Sequence, residues 1–206
     1  MILRPKPGLF EILFAVRGTM VTRIWGRLVL IALACAAAVL AARAHPGIFA
    51  QISAFPFTLI GLALSIFMSF RNNACYDRWW EGRKQWGALV VAGRSLARLS
   101  QGLPAEARER VARGICAFAA GLGASLRGRD VAAAIRTHGG AEDAWPHAAN
   151  PVNAVVHGLG TLALSAREAG HLDPLHWRMI EGELAALSGI QAACERIAGT
   201  PVPFGY

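Results

Sequence analysis

Two apolar runs dominate the first third of the chain. From Leu28 to Ala42 the sequence reads LVLIALACAAAVLAA, bordered by Arg27 and Arg43. From Ala44 to Phe70 there are 27 residues without an Asp, Glu, Lys or Arg, and they include FTLIGLALSIFMSF. A bilayer core of about 30 Å takes around 20 helical residues, so the second run is long enough to span with some tilt. The first is short, but arginines at its ends can carry their charge to the interface along their methylene stems. His45-Pro46-Gly47 between the runs marks a turn. The pattern predicts a transmembrane helical hairpin over residues 28–70. Two other readings compete. Ala42-Arg43-Ala44 fits a signal-peptide cleavage pattern, but the region ahead of it is long and a second apolar run follows directly. A buried soluble hairpin is the other, but so long a charge-free stretch is hard to bury in 206 residues.

The helical pattern does not stop at Phe70. The next stretch, RNNACYDRWWEGRKQWGALVVAGRSLARLSQG, keeps helix-forming residues and has no proline before Pro104. It predicts one long helix, or two collinear ones, leaving the bilayer. Trp79, Trp80 and Trp86 near the exit suit an interfacial aromatic belt. Arg78 and Glu81, three apart, are spaced for an intrahelical pair. Further on, Pro104 to Leu126 is amphipathic, with Ala107, Val111, Ile115 and Phe118 on or near one face. Asp130 caps a short helix to Thr137. GGAEDAWPHAANP reads as a loop, and Asn153 to Ala169 as another helix. Asp173 opens a last one, with Pro174 at its first position, running to about Ile197 and ended by Gly199 and Pro201. No strand alternation stands out. The fold class is all-α, with a cytosolic amino-terminal segment (1–27), the hairpin (28–70) and a cytosolic helical region (71–206) built as a bundle on the extended second helix.

Charge adds an orientation. Arg4, Lys6, Arg17, Arg23 and Arg27 precede the hairpin; Arg71, Arg78, Arg83, Lys84, Arg94 and Arg98 follow it; the turn holds only Arg43 and a histidine. Positive residues stay cytoplasmic, so both ends of the hairpin are expected to face the cytoplasm, with the protein in the cell (inner) membrane. The net charge of +8 is then largely topological, and no nucleic-acid-binding motif accompanies it. At 54% hydrophobic and 17% charged, the composition excludes a disordered chain. The cysteines, Cys35, Cys75, Cys116 and Cys194, are scattered, without the paired spacing of a zinc site or the density of a disulfide scaffold. GxSxG, Walker, HExxH and GxGxxG signatures are missing. His157 and His171 have no suitably spaced partners, and His176 with Glu181 and Glu183 does not make one metal-binding helix face. Arg94, Arg98, Arg108, Arg110 and Arg113 are placed either to attract anions or simply to cover a helical surface. No enzyme, cofactor or metal site is expected.

Within the second run, Leu62, Ile66 and Phe70 recur every four residues and share a helix face. Ser65, Ser69 and Asn73 form the adjoining face, and the small residues Gly61 and Ala63 allow close helix approach. Two readings stand. The stripe is ordinary helix–helix packing, or it lines a pore. If several copies surround an axis, stacked apolar rings make a constriction that gates by dewetting, with Arg71, Asn72 and Asn73 at its cytoplasmic mouth.

Three segments carry a family resemblance: MILRPKPGLFEILFAVRGTMVTRIWGRL at the start, FRNNACYDRWWEGRKQWG with GRSLAR after it, and CERIAGTPVPFGY at the end. In order and spacing they resemble the bestrophin ion channels, the bacterial members in particular. The RNN…RWWEGR and CERI…TPVPF blocks are specific; the stretch from about Gln101 to Asn150 is not. The resemblance implies a homopentamer around a central pore in a lipid bilayer. Its neck would be lined by Leu62, Ile66 and Phe70, aligned through RNN and RWW. It also implies a cytosolic vestibule closed by an aperture at Leu175 or His176, by spacing back from CERI. A histidine at that aperture would be a pH-sensitive ring; equally, it is a surface histidine at a helix start. The permeant species would be monovalent ions, chloride by family habit, with cations favoured by some bacterial members.

The family's TP-x-PF-x-Y segment leads into two further transmembrane helices, whereas this chain ends at Tyr206. A truncated member is therefore expected, without the acidic calcium clasp of animal bestrophins. The alternative function is a non-conducting helical membrane adaptor or assembly subunit.

Overall fold

The computed structural model describes residues 21–49, 53, 55–139 and 145–200. Arg4, Lys6 and Arg17 of the amino-terminal segment, residues 140–144 of the GGAEDAWPHAANP loop and the TPVPFGY stretch after Thr200 lie outside the described residues. Among the described residues every regular element is helical. The chain divides into two compact units, Met1–Leu64 and Ser65–Tyr206.

The first unit holds α1 (Val21–Ala44), the single turn α2 (Pro46–Phe49) and the start of α3 (Phe55–Leu99). α1 begins seven residues before Leu28, so Arg27 lies inside the helix rather than ahead of it. Arginine is a good helix former; its charge marks a membrane boundary, not a helix end. The added turns give an apolar stretch from Ile24 to Ala44, long enough to cross a membrane at about 32 Å. Pro46 then stops the helix by denying residue 45 a helical conformation. α3 starts where the Ser53 hydroxyl accepts from the Phe55 amide at 3.3 Å, with Pro56 in its first turn. Neither span buries anything: Leu30, Leu33 and Leu40 of α1, and Phe57 and Ile60 of α3, are all more than half exposed. Water does not tolerate so large an apolar surface; lipid or other helices must cover it.

In the second unit α3 runs on to Leu99, completing 45 unbroken residues. A 3-10 turn (Ser100–Gly102) follows, then α4 (Ala105–Ser125), α5 (Val131–Arg136), a second 3-10 turn (Trp145–His147), α6 (Pro151–Glu168) and α7 (Pro174–Gly199). Each of the last three helices opens on a side-chain cap. Asp130 accepts from the Ala133 amide at 2.9 Å, Asn150 from Asn153 at 3.1 Å, and Asp173 from Leu175 and His176 at 2.8 and 2.9 Å. α6 therefore starts at Pro151, two residues before the sequence-based expectation of Asn153, because Asn150-Pro151 is itself a cap followed by proline at the first position. Gly170, at φ 76°, ends the same helix in the left-handed conformation that glycine adopts without Cβ strain.

One core joins these helices. Leu89 and Leu96 of α3, Val111, Phe118 and Leu122 of α4, Ile135 of α5, Val155 and Leu159 of α6, and Leu184 and Leu187 of α7 are all buried in it. Of the face expected on α4, Val111 and Phe118 are buried, while Ala107 and Ile115 pack at its edge. Glycine sets the closest approach: a Cβ at Gly158 would run into the Trp145 indole nitrogen. We predict that Gly158→Ala costs about 1–3 kcal/mol, the usual scale of overpacking a filled core, read as a lowered Tm. An unchanged Tm would show that the indole can move aside.

Candidate functional site

Leu62, Ile66 and Phe70 stand on α3 at four-residue intervals and are 61%, 49% and 60% exposed. Among the described residues none of the three belongs to the buried core. Gly61, on an adjacent face, has no heavy atom within 4 Å of where a Cβ would go. Such a stripe needs an occupant, and a ring of copies around a lumen is one. Arg71, Asn72 and Asn73, directly below, are exposed polar residues. Past the exit, Tyr76, Trp79 and Trp80 form an exposed aromatic cluster, with ring centroids 5.7 and 6.0 Å apart.

At the opposite end of the second unit the structure separates the two residues expected at an aperture. Leu175, in the first turn of α7, is 70% exposed. His176 turns back: its Nε2 lies 2.7 Å from the Leu99 carbonyl at the end of α3, and its Cε1 sits 3.2 Å from where a Gly102 Cβ would be. That carbonyl can only accept, so Nε2 carries the proton. The Asp173 carboxyl is held below its usual range, first by the hydrogen bond from the His176 amide; desolvation opposes this, and the hydrogen bond from the Leu175 amide and the nearby His176 charge add to the lowering. A carboxyl so depressed stabilises the fold above the usual carboxylate range and loses that effect as pH falls through its lowered value. Asp173→Ala is therefore expected to lower the Tm at neutral pH, with the two proteins converging in acid. A Tm gap that stays constant down to acid pH would sink this assignment.

The local pair expected between Arg78 and Glu81 does not form. Arg78 instead donates to the carbonyls of Ile197 and Thr200, and Glu81 pairs with Arg196. Those partners lie more than a hundred residues away, beyond the reach of helix-spacing rules. Arg94, Arg98, Arg108, Arg110 and Arg113 are all exposed, and Arg113 pairs with Glu109 one turn back at 3.4 Å. Burial pushes the Cys194 thiol up, assisted by the neighbouring Glu195 charge, which makes it a poor nucleophile. Among the described residues no cluster of His, Cys, Asp or Glu is placed to hold a metal ion.

A family model described as "Bacterial/Fungal Bestrophin protein" matches residues 1–206. The chain belongs to this bestrophin family. Among its relatives, voltage-dependent anion channel-forming protein mll4386 of Mesorhizobium japonicum is 40% identical, the alignment covering 100% of this chain and 68% of that protein. Voltage-dependent anion channel-forming protein YneE of Escherichia coli is 34% identical, with 100% and 69% covered. The crystal structure of a bacterial bestrophin homolog from Klebsiella pneumoniae superposes with a TM-score of 0.81 at 32% identity, over 89% of this chain and 72% of that one. The chain thus spans about two thirds of the length of these bestrophins. The all-α fold is the one the bestrophin resemblance implied. With two helices of spanning length and composition, this bestrophin is a membrane protein.

Proposed function

We infer that the chain acts as the subunit of a bestrophin-type ion channel, assembled as a homopentamer in the lipid bilayer. The observation that carries the reading is the apolar stripe Leu62–Ile66–Phe70. It is exposed on a helix too apolar for water and, among the described residues, takes no part in the core. Five copies around an axis turn it into three stacked rings, a neck that passes ions when wetted and blocks them when dry. Leu175 is the better candidate for the cytosolic aperture, because His176 is engaged by the end of α3. The positive-inside pattern supports an inner-membrane protein with its amino terminus and residues 71–206 in the cytoplasm. Monovalent ions are the cargo, chloride first, as the names of the anion-channel relatives suggest. Apolar rings carry no charge, so cations remain open to measurement.

The test is flux from liposomes holding the full-length protein under opposed chloride and sodium gradients. A current whose reversal follows the chloride gradient supports an anion channel; one that follows sodium keeps the channel and reverses the selectivity. No current from protein shown to be pentameric removes the channel reading.

A further inference from the structure

The two sequence blocks that carry the bestrophin resemblance meet in space. Arg78, in RWWE, donates to the carbonyls of Ile197 and Thr200; Glu81, one turn on, pairs with Arg196 in CERI. Ile197 and Thr200 are the last turn and cap of α7, where carbonyls lack intrahelical partners and the helix dipole favours a cation. The planar fork of an arginine serves two such carbonyls at once. At the other end of α7 the roles are exchanged. His176, in its first turn, caps the Leu99 carbonyl that ends α3, at 2.7 Å. Each helix is closed at its C-terminus by a side chain of the other. Arg78 precedes Leu99 by 21 residues and His176 precedes Ile197 by 21, so both stretches are about 31 Å long. The helices run antiparallel with the two clamps in register.

We propose that this reciprocal capping makes α7 a strut, in which Arg78, Glu81 and Arg196 fix one end to the helix that carries the neck and His176 fixes the other beside Leu175. The strut carries the position of the neck helix to the aperture and sets how often the pore is open, without lining it. Arg78 is a positioning residue in this scheme. The inference rests on the neck reading above. That reading is tested separately by unitary conductance in neck variants, which the strut variants leave alone.

The experiment is single-channel recording of the full-length protein in planar bilayers, with the assembly checked by size exclusion. Arg78→Lys keeps the charge and loses the fork. E81R and R196E each break the ion pair, and E81R/R196E rebuilds it with the charges exchanged. The Glu81 and Arg196 side chains are 37% and 61% exposed. Each reversal should therefore change open probability by about threefold, the scale of an exposed pair, and R78K by at least as much. The exchanged pair should return it to the wild-type value. Unitary conductance and reversal potential should stay constant throughout. An exchanged pair as defective as the worse single variant overturns the proposal. So does a conductance that shifts with open probability, or wild-type gating in R78K and both reversals. If a reversal prevents assembly, E81Q, R196Q and E81Q/R196Q complete the same cycle. A double variant no worse than either single supports a coupled pair; additive effects overturn it.

Discussion

Replacing Leu62, Ile66 and Phe70 together by alanine raises the unitary conductance of the assembled channel. The reason is the physics of an apolar constriction. A ring of Leu, Ile or Phe side chains offers water no hydrogen bonds, so the narrow column between the rings dries and an ion must shed hydration to enter. Alanine at all three levels removes most of the side-chain volume, widens the column and lets water stay. Each ~1.4 kcal/mol taken from the barrier raises flux tenfold, so even partial wetting gives an effect of an order of magnitude. The control is the far side of the same helix. Phe57, Leu64 and Met68 are also exposed in the chain, but lie roughly opposite on the 3.6-residue period. Their replacement by alanine should leave conductance unchanged. Equal effects on the two faces, or none on the neck face, would move the stripe from the lumen to a packing surface.

How much of this was written in the sequence varies by element. Helix starts with a local chemical signal were legible: Asp173-Pro174 and Asp130 each name a cap. Asn150-Pro151 carries the same signal inside a stretch whose composition marks a loop, and α6 starts there rather than at Asn153. Arg27 marks the edge of the apolar surface and not of the helix, because arginine is compatible with the helix that runs from Val21 to Ala44. The periodic stripe of α3 was legible as a pattern, but what it faces is not, because a single chain supplies no partner for it. Arg78 and Glu81 mark the limit of local rules. Spacing offered a pair three residues apart, and a partly buried Arg78 went to the orphan carbonyls of α7 instead. His176 shows the same limit: an alignment by spacing could not choose between it and Leu175, whereas one hydrogen bond to Leu99 separates them.

Phe118→Ala should be the most destabilising single substitution in the helical bundle. Phe118 is 0% exposed and heads the largest fully buried side chains. It sits on α4 between Gly114 and Gly121, and both glycines face close neighbours. A Cβ at Gly114 would lie 2.7 Å from Cδ2 of Leu159, and one at Gly121 would lie 2.8 Å from Cγ1 of Ile135. The helices around Phe118 are therefore already at contact distance on both sides along α4, which leaves little room for the site to collapse after truncation. Uncollapsed cavities cost the most, and a buried Phe→Ala runs to about 3–5 kcal/mol. At roughly 2–4 °C per kcal/mol for a domain of this size, the solubilised protein should melt about 10 °C lower. A loss of a degree or two would mean that α4 shifts to fill the space, which the glycine contacts oppose. Because Phe118 lies in the bundle and not on the neck stripe, channels that do assemble should keep the wild-type reversal potential. A changed selectivity would tie the α4 core directly to the ion path.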